Sequence, residues 1–407
     1  MVRGTGVNPI VSNFDVTVEK LVYGGDGLAR LDGRVVFAPF VLPGERVHVE
    51  TTQEKPGLIR ARTVKVLEPS ADRVAAPCPY FGRCGGCHYQ HTSYDHQVEA
   101  KAGILVEELR RLGKIEPPEE IGVISGEPWG YRNRVQLQVD RGRLGYLEWR
   151  SHKLCAVDRC PIASPKLNET IATLNRMLHD GRWPRMIRQI ELFTDEKQVQ
   201  LNVLETDRPV ARRFFDWCAG EIPGLVEGAL DYNGRYRVSR NSFFQVNRFL
   251  LDNLVEAATA DAQGDTAFDL YAGVGLFAPE LARRFGQVTA VESGAGAVRD
   301  LQFNVERAGL TNVQAETGMV EEFLQGKDAP AEFVLLDPPR AGVGKAVVQR
   351  LNELQPRRMA LVACDPATLA RDLSGFVQGG YRIERMAMID LFPQTYHLEA
   401  VVRLTRD

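Results

Sequence analysis

The chain has 407 residues, 44% of them hydrophobic and 25% charged, and a net charge of −3. That length allows two or three domains with separate cores, and the composition is that of a folded protein, not a disordered or fibrous one. The charge balance excludes blanket electrostatic adhesion to nucleic acid, so any such contact needs a local basic face. The first residues, Met1-Val2-Arg3-Gly4, hold no apolar core of signal-peptide length. No segment approaches the ~18 apolar residues of a membrane span, so a cytoplasmic protein is expected. Three of the seven cysteines crowd between Cys78 and Cys87, which in a reducing compartment points to a metal site and not to disulfides.

Runs at 16–22, 34–38, 46–50 and 58–66 are β-rich, with Gly24-Gly25-Asp26-Gly27 reading as a tight turn. Short strands, glycine turns and no helical period predict a small five-stranded barrel. With its basic turns this segment resembles a TRAM domain, an OB-like RNA-binding module.

The next stretch is Cys78-Pro-Tyr-Phe-Gly-Arg-Cys84-Gly-Gly-Cys87, a C-x5-C-x2-C set of soft ligands that Gly85-Gly86 lets fold tightly. Cys155 and Cys160 are the downstream choices for a fourth ligand, and spacing alone leaves zinc and [4Fe–4S] both open. The spacing differs from the C-x3-C-x2-C of radical-SAM enzymes.

Val98, Ala102, Leu105, Leu109 and Leu112 recur at three- and four-residue steps and predict a helix with one apolar face. Residues 131–150 alternate around Arg141-Gly142-Arg143, a hairpin signal. Six Lys/Arg against two acids between Pro128 and Lys153, with Tyr131, Tyr146 and Trp149 interleaved, make this stretch a candidate RNA surface. Residues 164–235 carry no chemical motif.

From about Asp231 strands and helices alternate, the mark of a doubly wound parallel sheet. Asp269-Leu-Tyr271-Ala-Gly273-Val-Gly275 reads as strand, glycine turn and helix start. Glu292 ends a second strand about twenty residues on, where a carboxylate can accept ribose hydroxyls. Lacking a third glycine and any nicotinamide chemistry, the turn is assigned to S-adenosyl-L-methionine. Asp337-Pro-Pro-Arg340 ends a third apolar strand. A fourth, Met359-Ala-Leu-Val-Ala363, delivers Cys364 to a loop that Asp365-Pro366 opens at once. Taken alone, Cys364 and Glu399 read as a buried thiol and a surface carboxylate; their company makes them candidates for chemistry.

Together these residues resemble the RNA uridine-C5 methyltransferase family, in its iron–sulfur, TRAM-containing branch. The motifs are the cysteine set with Cys160-Pro161-Ile162, Ser242-Phe-Phe-Gln245-Val-Asn247, Asp269 to Gly275, Asp337-Pro-Pro-Arg340, Ala363-Cys364-Asp365-Pro366 and Phe392-Pro393-x-Thr395-x-His397-x-Glu399. The resemblance implies an α/β architecture: an OB-like TRAM barrel over 8–69, a central α+β iron–sulfur domain with an RNA surface over 70–235, and a Rossmann-like methyltransferase sheet over 236–407. It makes Cys364 the nucleophile and Glu399 the base, puts Gln245, Tyr271, Glu292 and Asp337 on the methyl donor, and a [4Fe–4S] cluster on Cys78, Cys84, Cys87 and Cys160. Cys155 has no place in the pattern. The implied substrate is RNA, ribosomal before transfer RNA, and the implied state a monomer with no membrane partner.

Two positions depart from the pattern. Leu276 stands where some relatives carry asparagine, and Met319 follows Gly318 where an acid is usual, so fewer hydrogen bonds to the donor are expected. Arg340 stands where RNA cytosine-C5 enzymes place a second cysteine, and an amino methyltransferase would leave Cys364 and Glu399 unexplained. A catalytically silent iron–sulfur RNA-binding protein is the alternative from another class.

Overall fold

The computed structural model describes residues 12–406. The expected barrel start at residue 8 and the first residues, read above for a signal peptide, lie outside the described residues. The chain forms two compact units: residues up to Ile104 with Gln394–His397, and Leu105–Pro393 with Leu398 onward.

In the first unit, β1 (Asn13–Leu21), β2 (Asp26–Leu31), β3 (Arg34–Pro39), β4 (Arg46–Lys55) and β5 (Leu58–Glu68) close a barrel in the order β1-β2-β3-β5-β4. Every second residue faces inward, so Val16, Val18, Val36, Ala38, Val47, Val49, Ile59 and Ala61 make one apolar core. Gly24 and Gly25, both at positive φ, carry the β1–β2 turn. Asp26 and Gly27, expected in that turn, instead open β2. Helix α1 (Tyr94–Glu108) gives way to a wider π turn, Leu109–Gly113. That extra residue per turn shifts the register: Leu105 and Leu109 are fully buried, but Leu112, expected on the apolar face, is exposed.

The second unit holds two large sheets. After β6 (Gly122–Ile124) come β7 (Arg134–Asp140), β8 (Arg143–Leu147), β9 (Leu154–Ala156), α2 (Pro165–Met177), β10 (Ile187–Thr194), β11 (Val199–Thr206), α3 (Arg212–Glu221) and β12 (Leu225–Val226). Their sheet runs β12-β11-β10-β7-β8-β9, and Leu167, Ile171 and Leu174 of α2 pack on it with Phe214 of α3. The expected hairpin is β7–β8, turned by Arg141 and Gly142 at positive φ. Tyr131, expected on an RNA surface, is fully buried, and its hydroxyl donates to the Pro393 carbonyl at 3.0 Å, so it offers no face to a base.

A hairpin, β13 (Leu230–Tyr232) and β14 (Tyr236–Val238), and helix α4 (Leu251–Thr259) precede the alternation expected from about residue 231. It begins at β15 (Gly264–Leu270) and continues through α5 (Ala278–Arg284), β16 (Phe285–Glu292), α6 (Ala295–Arg307), β17 (Val313–Thr317), α7 (Val320–Gln325), β18 (Phe333–Leu336), α8 (Lys345–Leu354), β19 (Arg358–Ala363), α9 (Pro366–Gln378), β20 (Arg382–Ile389) and β21 (Glu399–Thr405). The strand order is β17-β16-β15-β18-β19-β21-β20-β6. Strands β15 to β19 are parallel and β21 antiparallel to β19, while β6, from far upstream, pairs in parallel with β20. All four residues of β18 and five of the six in β19 are buried, as covering helices on both faces demand. Among the described residues no helix is long and apolar enough to cross a membrane.

Candidate active site

From β15 the chain winds outward to β17 and then returns across to β18, so the carboxyl ends of β15 and β18 flank a topological switch point, where open α/β sheets bind ligands. Tyr271 follows β15, Glu292 ends β16, Asp337 follows β18 and Cys364 follows β19. β21 runs the other way, so its first residue lies at that same edge. Ala363 pairs with Ala400, which puts Glu399 one rung on beside Cys364. Asp365 caps α9, its Oδ1 accepting from Ala367 N–H at 3.0 Å and Thr368 N–H at 2.9 Å, so Cys364 is pinned between a strand end and a helix start.

The edge is an acidic cluster in which Asp269 and Glu399 are buried and Glu292 and Asp337 half-buried. Glu399 is buried and its pKa stands well above the usual carboxylate range, through desolvation and then the nearby Asp337 charge, with Arg340 opposing. Burial pushes Asp337 up to about 7. Asp269, fully buried at the end of β15, is pushed up to about 8 by burial, then by Asp337 and Glu292, and both its carboxylate oxygens are buried without a hydrogen bond. Burial likewise lifts the half-buried Cys364 thiol to about 12; Glu399 adds to this and Arg340 opposes it. Burial thus favours the neutral forms of these acids and of the thiol, and a cation brought among them would favour the ionised carboxylates.

The glycine turn is shaped for close approach. Tyr271 and Gly273 both adopt positive φ, and Gly273 N–H donates to Glu292 Oε2 at 3.0 Å. Gly294 N–H donates to Glu292 Oε1 at 2.6 Å, so the carboxylate is aimed by backbone at both oxygens with lone pairs to spare. Gln245 is buried and its carbonyl accepts from Asn133 Nδ2 at 3.1 Å. Asn247 Nδ2 donates to the Leu391 carbonyl at 3.1 Å, tying this loop to the segment before Glu399. Leu276 is core, its carbonyl taken by the Tyr236 hydroxyl at 3.2 Å, and Met319 is exposed.

A sequence profile described as tRNA (Uracil-5-)-methyltransferase matches residues 226–407, and a TRAM domain profile matches residues 10–64. A Streptomyces coelicolor protein named as an uncharacterized RNA methyltransferase is 37% identical over 98% of this chain and 94% of its own. The 23S rRNA (uracil(1939)-C(5))-methyltransferase RlmD of Chromohalobacter salexigens is 34% identical over 96% and 89%. The chain belongs to the RNA uracil-C5 methyltransferase family. The crystal structure of the Pyrococcus abyssi tRNA (uracil-54, C5)-methyltransferase with S-adenosyl-L-homocysteine superposes with a TM-score of 0.73 at 25% identity, over 96% of this chain and all of that one. The chain is thus an enzyme of S-adenosylmethionine-dependent RNA uracil methylation, and its N-terminal barrel is a TRAM domain.

Within this uracil-C5 methyltransferase, the sheet brings the carboxyl-end residues Tyr271, Glu292, Asp337, Cys364 and Glu399 to one edge. Asp269 and Arg340 are additions that the motif reading passed over. Asp269 stood in the quoted glycine-turn motif, but only its burial shows it unpartnered; Arg340 is exposed and acts on Cys364 and Glu399 by charge alone. The cysteine loop is different. Cys78, Cys84 and Cys87 are half-buried, Cys84 N–H closes a turn on Tyr80 O at 2.8 Å, and Gly86 N–H donates to Cys84 Sγ at 3.4 Å. Among the described residues no three His, Cys, Asp or Glu side chains converge as a metal-binding group. Cys160 is half-buried with its N–H held by Asn168 Oδ1 at 2.8 Å, and Cys155 is fully buried in β9.

Proposed function

We propose that this enzyme methylates carbon 5 of a specific uridine in 23S rRNA through a covalent bond between Cys364 and carbon 6 of the ring. The observation that carries the reading is the pairing of Ala363 with Ala400, which sets a thiol and a buried carboxyl side by side next to the donor turn. Carbon 5 of uracil is too weak a nucleophile to take a methyl group unaided. Cys364 gives up its proton to solvent and adds its sulfur as thiolate to carbon 6, and the electrons of the 5,6 double bond move toward oxygen 4, leaving carbon 5 enolate-like. The methyl donor, when bound, would supply an electrophilic methyl group on a sulfonium, which carbon 5 takes up as the carbon–sulfur bond breaks and a neutral thioether leaves. Glu399 then takes the proton from carbon 5; the double bond re-forms and expels the Cys364 thiolate. The raised pKa of Glu399 makes it a stronger base for that proton once ionised.

Gln245, Tyr271, Glu292 and Asp337 hold the donor in this reading. The fit is one of charge: burial raises the pKa of Asp269 and of Asp337, and a sulfonium and an ammonium beside them would favour their ionised forms. Leu276 and Met319 leave fewer side-chain contacts, so backbone groups of the turn carry more of the binding. The loop of Cys78, Cys84 and Cys87 has the donor chemistry of a [4Fe–4S] site, with Cys160 the fourth ligand that the family resemblance implies; its duty would be structural, since no step above needs an electron. A base reached from both faces must leave its stack, so the substrate is unpaired or flipped RNA. Ribosomal RNA is favoured over tRNA because the relative at 34% identity carries an rRNA name, against 25% for the tRNA enzyme. The enzyme acts as a cytoplasmic monomer.

The test is incubation of the purified protein with radiolabelled methyl donor and separated host 23S rRNA and tRNA, followed by mapping of 5-methyluridine. Label at one uridine of 23S rRNA is expected. Label only in tRNA would move the substrate, label in cytosine would move the reaction, and none in any RNA would leave the silent RNA-binding protein.

A further inference from the structure

Residues 239–246 lie outside the sheets, yet Gln245 within them has to meet the donor turn at 273–275. Helix α6 holds both. Asp300, fully buried, accepts at Oδ2 from Ser239 N–H (2.7 Å) and the Ser242 hydroxyl (2.8 Å), and at Oδ1 from the Ser239 hydroxyl (2.6 Å), with Arg237 Nε at 3.3 Å. One turn further on, Asn304 accepts from Arg237 N–H at 2.7 Å and donates through Nδ2 to two carbonyls: Arg237 O at 3.1 Å and Val274 O at 2.9 Å. Between them Leu301 packs under Gly275 so closely that an added Cβ there would lie 2.6 Å from Leu301 Cδ1.

Val274 is flanked by Gly273 and Gly275, both at positive φ, so the peptide it carries is the freest part of the turn. A side-chain hydrogen bond to that carbonyl removes the freedom before a ligand arrives, which is affinity gained by preorganisation. From the other side Arg134 Nη1 donates to Ser242 O at 2.8 Å, so the loop leading to Gln245 is clamped on two faces.

We propose that Asp300 and Asn304 are positioning residues that set the Gln245 loop against the glycine turn and thereby fix the affinity for S-adenosylmethionine, without touching it. The proposal rests on the donor-site reading above. Its test is calorimetric titration of the full chain with S-adenosylmethionine, beside binding of host 23S rRNA and thermal unfolding. Asn304→Asp keeps the acceptor for Arg237 N–H and loses the donations, and should weaken the donor Kd about tenfold while RNA binding stays within about twofold. Ser242→Ala should weaken donor binding about threefold, and Ser242→Thr, which keeps the hydroxyl, should restore it. Should Asn304→Asp not fold, the Ser242 pair decides alone. Unchanged donor affinity in both variants, or a loss that follows the unfolding temperature and that Ser242→Thr does not restore, would overturn the proposal. Wild-type protein that binds no donor would instead sink the donor-site reading beneath it.

Discussion

Two places in this chain gather reactive side chains, and they do it by different means. At the carboxyl edge of the eight-stranded sheet, Tyr271, Glu292, Asp337, Cys364 and Glu399 arrive on separate strands, and ladder register brings them together. In the first unit three thiols lie within ten residues, from Cys78 to Cys87, and still, among the described residues, no three His, Cys, Asp or Glu side chains converge as a metal-binding group. A strand end is fixed in space by hydrogen bonds on both sides whether or not a ligand is present. A loop of glycines and prolines has no ladder, so the proposed cluster must itself draw the thiols together, and its binding energy becomes folding energy. The sheet edge should therefore tolerate loss of its reactive atoms without loss of structure, and the loop should not.

Cys364→Ala is the sharpest way to break that contrast. With no sulfur to add at carbon 6, methyl transfer should fall on the order of 10⁴-fold or more while the donor Kd and unfolding temperature hold, as followed by labelled methyl incorporation and calorimetry. Glu399→Gln should slow turnover about 10²–10⁴-fold and let a covalent protein–RNA adduct build up on denaturing gels, because methylation precedes the step that needs the base. An active Cys364→Ala protein would mean that the edge is a fold feature and not a site.

At the loop the opposite outcome is expected. Cys84→Ser removes the thiol that Gly86 N–H contacts, and should lower iron and acid-labile sulfide content and the stability of the first unit together, by about 4–8 °C per kcal/mol lost. Donor binding by the second unit should stay unchanged. A variant with full stability and no iron would make the loop a passive ligand set, with order of its own.

The same contrast explains which parts of the site are legible in the sequence. An apolar run ending in an acid or a cysteine announces a buried strand end, so the places of Asp337, Cys364 and Glu292 at the ends of their strands are legible from chain order alone. Glu399 was legible only as motif, because its neighbourhood depends on an antiparallel pairing between β19 and β21 that no local pattern encodes. Long-range packing hid the rest. Three residues at 122–124 become an edge strand against β20, and Gln394–His397 cluster with the first unit through Gln394 O, which accepts from His88 N–H at 2.8 Å and Tyr89 N–H at 3.1 Å. Tyr131 looked like a stacking ring because aromatic residues among arginines read alike whether they point in or out; burial decides, and it points in.

Asp269 gives the smallest effect and tests the edge from within. Its carboxyl is held at about 8, against about 4 for an unfolded carboxylate, so the native chain keeps a proton that the unfolded chain sheds. Stability from this group is full below about pH 4 and is lost as pH rises toward 8. Asp269→Asn removes that titration, so without donor the variant should unfold later than wild type at pH 8 by about 1–3 kcal/mol, and with it at pH 4. Donor binding should move the other way. An ionised Asp269 complements a cation, so the wild-type donor Kd should tighten between pH 6.5 and 8.5 by up to about tenfold, and the variant's should follow pH less steeply, through Asp337 alone. Thermal unfolding across that range, with and without S-adenosylmethionine, reads both. A variant less stable at pH 8 without donor would mean that Asp269 is already paired in the resting protein, and that the edge, like the loop, waits on something else for its order.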